Sequence, residues 1–104
     1  MTKEEHIAIV AKPLALTEPF HVMATKAYHQ MGDISSEVPD LAYITGESGD
    51  YYIGMWVYGF GFFNVLFPKN TVRDLSEAEI AEYNQSHLSL NGNYLGKLTV
   101  HPRQ

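Results

Sequence analysis

The sequence predicts a mainly β, α+β fold: a small antiparallel barrel or curved sheet carrying one or two short helices. Three observations predict it. Residues 41–75 divide into short apolar runs, LAYIT, YYIGMWVY and FFNVLF, separated by turn residues at the spacing of an antiparallel meander. Eight of the thirteen aromatic residues fall between Tyr51 and Phe67, a density suited to pleated strands rather than to helices. After these runs, SEAEIAEYN begins with Ser76 and has Glu79 three residues later, the reciprocal pattern that caps a helix.

Residues 4–12, EEHIAIVAK, place Ile7, Ile9 and Ala11 on one side of an extended chain, and Pro13 stops it, so a first strand is expected there. Residues 17–31 read as a helix: Thr17 as cap, Pro19 in the first turn, Gly32 beyond the end, and Phe20, Met23, Ala24, Ala27, Tyr28 and Met31 at helical spacing. The same residues as a strand would align Phe20, Val22, Ala24, Lys26 and Tyr28, an apolar face broken by a charge. GDISSEVPD, residues 32–40, is turn chemistry and reads as a surface loop. The three central strands follow, and TVRDL supplies a short fourth. A helix over residues 76–84 carries Ile80 and Tyr83 on its apolar side, with Leu75 as a staple before the cap. Asn91-Gly92 between two apolar runs signals a closing strand or hairpin.

Bent strands, glycines where the sheet must turn and a short helix near the end are features of small SH3-like or OB-like barrels. The chain resembles that class in outline over residues 41–75, through strand spacing rather than a diagnostic motif, so no functional residue carries over. Repeats, low-complexity tracts and linkers are absent from the sequence, and residues 1–104 read as a single domain.

With 45% apolar residues the chain can build a core, and with no cysteine it has neither disulfides nor a thiol nucleophile. No apolar run reaches the ~20 residues of a membrane helix, and Met1 to Val10 lacks the features of a signal peptide. A cytoplasmic protein with no membrane partner is expected.

Charge is distributed unevenly. Lys26 and Lys69 bracket 42 residues without a Lys or Arg, and this window holds Asp33, Glu37, Asp40, Glu47 and Asp50. Those five acids equal the net charge of −5, because the other seven cancel the seven bases. Phosphate neutralisation needs clustered bases, so direct nucleic-acid binding is disfavoured.

Alternation along the central run sends Tyr51, Ile53, Met55 and Val57 to one face and Tyr52, Gly54, Trp56 and Tyr58 to the other. In so short a chain one face builds the core and the other must be covered by a helix, a second layer or a partner. Tyr and Trp keep a polar atom that suits a half-exposed contact face. The candidate binding residues are therefore Tyr52, Trp56, Tyr58 and Phe60, rimmed by Glu47 and Asp50. Gly54 leaves either a shallow slot or room for a twisted strand.

Reactive constellations are not legible. His21 and His29 stand eight residues apart, about 12 Å along a helix, too far for a zinc pair. Gly59-Phe60-Gly61 precedes a strand pattern, not the helix that a dinucleotide loop requires. No serine sits in a nucleophile elbow, and the acids do not follow a calcium-loop spacing. No catalytic residue, metal site or cofactor is expected. The reading is a small acidic, non-catalytic binding module for a protein partner of basic or extended peptide character. By analogy, accessory or inhibitor proteins of phages and mobile elements fit this size and charge. The alternatives are a small-molecule or carbohydrate-binding domain and a structural homodimer.

Overall fold

A computed structural model describes residues 2–29, 32–57 and 64–85. Its elements are α1 (Lys3–Val10), β1 (Leu14–His29), β2 (Gly32–Ser48), β3 (Tyr51–Trp56), β4 (Val65–Pro68), a single 3-10 turn (Lys69–Thr71), β5 (Val72–Arg73) and α2 (Glu77–Gln85). The expected α+β fold, a curved antiparallel sheet with two short helices, is the observed one.

All pairings among these strands are antiparallel, and they close on themselves. β1 pairs with β2 along most of its length, β2 with β3, β3 with β4, and β4 returns to β1 where Leu66 faces Tyr28. β5 adds to the same edge of β1 opposite Met23 and Ala24. The result is a small barrel-like ring, which removes most of the exposed sheet edge that an open sheet would present.

The expected strand over residues 4–12 is instead α1. Thr2 Oγ1 accepts from the Glu5 amide and the Glu5 carboxylate accepts from the Thr2 amide, both at 3.1 Å. This local box outweighs the β-branched Ile7 and Ile9, and Pro13 lies where a helix has already stopped.

The expected helix over residues 17–31 is instead strand β1 as far as His29, with residues 30 and 31 outside the described residues, and the expected loop over 32–40 is the first part of β2. The two strands form one long hairpin, paired from Leu14 opposite Glu47 to His29 opposite Gly32, with register shifts between Ala15 and Phe20 and between Ala24 and Lys26. Long-range pairing overrides the helical spacing, as tertiary context commonly does. The apolar face that a charge seemed to interrupt is resolved by a register shift between Ala24 and Lys26. Phe20, Val22 and Ala24 enter the core before the shift, and Ala27 enters it afterwards. The irregularity changes the phase of alternation, so Lys26 and Tyr28 share the other face.

The meander strands form within the described residues, with β3 ending at Trp56 and β4 starting at Val65, after Asn64 at a φ of +56°; the expected Gly59–Gly61 turn, Phe62 and Phe63 lie outside the described residues. Gly49, with φ of +57°, makes a two-residue turn with Asp50 between Ser48 and Tyr51. Gly54 faces an irregularity in β2 between Ile44 and Gly46. A Cβ there would fall on the Tyr43 carbonyl, so Gly54 permits a close approach of two backbones and leaves no ligand slot.

Inside the ring, Phe20, Val22, Ala24, Ala27, Ala42, Ile44, Tyr52, Val65, Phe67 and Val72 make one core. On the outer face Met23, Leu41, Val57 and Leu75 are buried with Ile80 and Tyr83 against them, so α2 covers this second cluster. The expected cap is present: Ser76 Oγ accepts from the Glu79 amide at 3.1 Å, and Glu79 Oε1 accepts from the Ser76 amide at 2.9 Å. The Asn91-Gly92 hairpin lies outside the described residues.

Candidate functional site

A cleft of about 590 Å³ lies over the seam between β1, β4 and the start of β3. It is lined by Lys26, Tyr28, Asp50, Tyr51, Pro68, Lys69, Asn70 and Thr71. Three local devices assemble it. The β1 register shift turns Lys26 and Tyr28 to one side. The tight Gly49-Asp50 turn starts β3 with Tyr51 opposite Pro68. Pro68 ends β4, and the 3-10 turn then carries Lys69, Asn70 and Thr71 along the rim.

The walls are braced by hydrogen bonds. The Lys69 amide donates to the Asp50 carbonyl at 2.9 Å, and Thr71 Oγ1 donates to the Pro68 carbonyl at 2.8 Å. Tyr28 and Tyr51 meet edge to face, with centroids 6.0 Å apart and planes at 74°.

Both ammonium groups are oriented. Lys69 Nζ lies 2.9 Å from Glu47 Oε2 and 5.2 Å from the centroid of the Tyr52 ring. Lys26 Nζ lies 5.3 Å from the Tyr28 centroid. Hydrogen bonding to Tyr28 raises the Lys26 pKa above its ordinary value, with a smaller contribution from the charge of Asp33.

The sequence-derived candidates divide between this cleft, the core and the undescribed segments. Asp50 lines the cleft, and Glu47 sits behind it as the Lys69 partner. Tyr52 is a core residue, 4% exposed, with its ring edge to face against Phe20 at 5.4 Å. Trp56 is half-buried on the same side of β3, its ring 5.0 Å from that of Phe67. The Tyr52–Trp56 face of β3 therefore packs into the ring, because closing a small barrel needs large side chains inside. Tyr58 and Phe60 lie outside the described residues.

Sequence reasoning missed Lys26, Tyr28, Tyr51, Lys69, Asn70 and Thr71 as one site. Only the charge pattern pointed toward it: the two lysines that bound the base-free window both line the cleft. Among the described residues no three His, Asp or Glu side chains stand together as a metal site, and no helix is long and apolar enough to cross a membrane.

The fold and the cleft define a class: a small ring-like antiparallel α+β domain with a polar, tyrosine-walled recess on its surface. No protein-family model matches the chain, nor does any curated protein or solved structure.

Proposed function

We propose that this protein is a small non-catalytic binding module and that its recognition site is the Tyr28–Tyr51 cleft, where an extended segment of a protein partner lies. The observation that carries this reading is that two tyrosine rings in edge-to-face contact, a proline, two lysines and Asn70 line one recess. Its volume of about 590 Å³ is in the range that accommodates a few residues of chain or a small ligand. Tyrosine rings provide apolar area at low conformational cost, and the polar rim provides orientation. Of the two partner characters suggested by the sequence, the extended one suits a recess between strands. Glu47, which suggested a basic partner, is already paired with Lys69.

The test is a heteronuclear NMR titration of the isotopically labelled protein with a capped, neutral Ala-Pro-Gln-Pro-Ala peptide, whose prolines keep it extended. Amide shifts concentrated at residues 26–28, 50–51 and 69–71, and abolished in Tyr51→Ala at unchanged melting temperature, support the reading. Shifts centred on β3 near Trp56 would relocate the site, and no saturable shift with peptides of any charge would refute it.

A further inference from the structure

We infer that α1 is a latch: it leaves the body of the protein as a unit, hinged at Lys12-Pro13, while the ring and α2 stay folded, so that the molecule has a closed and an open state. The closed state is held by little. Among the described residues, every hydrogen bond that α1 makes lies within residues 2–11. These are the Thr2–Glu5 capping pair at 3.1 Å and the helix's own backbone bonds, with the His6 amide donating to the Thr2 carbonyl and the Ala11 amide to the Ile7 carbonyl, both at 3.0 Å. Neither buried cluster of the described residues includes an α1 side chain, and the ring closes through the pairings of β1 to β4 without it.

The seat of the helix is a polar side chain. Of the eight residues of α1 the buried one is His6, at 1% exposure, while Ile7 is 47% exposed. Ile9 and Val10 are half-buried, and the remaining residues of the helix are exposed. His6 carries into its seat two ring nitrogens that find no hydrogen-bond partner among the described residues, so part of the gain from burying the ring is offset.

Nothing else in the segment compensates. A helix of eight residues is shorter than the length that is stable in isolation, so α1 unfolds once it leaves its seat. The link to the ring offers no resistance: Ala11, Lys12 and Pro13 are all exposed, and Pro13 has no amide hydrogen to give a neighbouring strand. Segments with few buried apolar contacts and no hydrogen bonds to the core open at a free energy below that of global unfolding. Opening uncovers the surface that His6 closes, and α1 thereby controls access to it.

Native-state hydrogen exchange of the full chain, followed by NMR over a series of low urea concentrations, tests the latch. The amides of residues 6–11 should share one opening reaction. Its urea dependence should be greater than zero but smaller than that of the most protected amides of β1 to β4, with protection at least about tenfold lower. His6→Leu, which removes the unpaired nitrogens, should raise the protection of those amides by roughly tenfold. Exchange of residues 6–11 with the same urea dependence as the ring joins α1 to the global unit and overturns the inference. Exchange that proceeds residue by residue with no urea dependence is fraying of a helix end and overturns it as well. A drop in protection in His6→Leu means that a partner clamps the imidazole, and it too overturns the latch.

Discussion

The α-carbon of Gly54 stands so close to the carbonyl of Tyr43 that a single added methyl would overlap the carbonyl oxygen. The obstacle is backbone in the neighbouring strand, and it cannot rotate aside as a side chain would. We predict that Gly54→Ala costs more than the usual ~1–3 kcal/mol of overpacking, enough to unfold a large share of the protein at 25 °C. Gly46→Ala, whose Cβ would lie 3.1 Å from the Leu14 carbonyl, should cost less. Urea unfolding of both variants checks the order, and comparable midpoints would contradict this account of the β2–β3 contact.

Trp56 packs its ring against Phe67, which is fully buried. Trp56→Ala should therefore lower stability by about 2 kcal/mol, less than the ~3–5 kcal/mol of a fully buried aromatic because the ring is half-exposed. Chemical denaturation measures the loss. An unchanged midpoint would return Trp56 to the role of a contact residue.

Arg73 donates to both Glu79 oxygens, at 2.7 and 2.9 Å, and with the Ser76 amide holds the Glu79 pKa down to about 2 from 4.5. A depressed folded-state value means that this contribution is fully present above pH 4.5 and is lost as pH falls toward 2. Glu79→Gln should flatten the melting-temperature profile across that window. At pH 7 the variant should lose on the order of 1 kcal/mol, because the pair is exposed on its Arg73 side. Parallel profiles for wild type and variant would refute the assignment.

His6 is 1% exposed, and among the described residues neither ring nitrogen has a hydrogen-bond partner. An unsatisfied buried polar side chain costs roughly 1–3 kcal/mol, so an apolar replacement of similar volume removes a penalty. His6→Leu should raise the melting temperature by about 4–8 °C per kcal/mol gained in a domain of this size. A fall in melting temperature would mean that the imidazole makes a stabilising interaction.

The central strands and α2 were legible because their signals are local. Alternation, Gly49-Asp50 and the Ser76–Glu79 box each lie within a few residues of one another. The Thr2–Glu5 box was equally local but was masked by the alternation of Ile7 and Ile9. The aromatic cluster was visible, whereas the inward direction of Tyr52 and Trp56 was not, because alternation separates two faces without saying which becomes the interior.

The amino-acid order by itself determined an antiparallel α+β body with a capped helix after its meander, since turn chemistry, period-two runs and capping act between near neighbours. Only the tertiary structure decided that residues 14–29 are a strand, that β4 closes onto β1, and that Lys26 and Tyr28 leave the core phase to meet Tyr51 and Lys69. Those outcomes depend on hydrogen-bond register between segments tens of residues apart, where burial of the whole ring outweighs the preference of any single stretch.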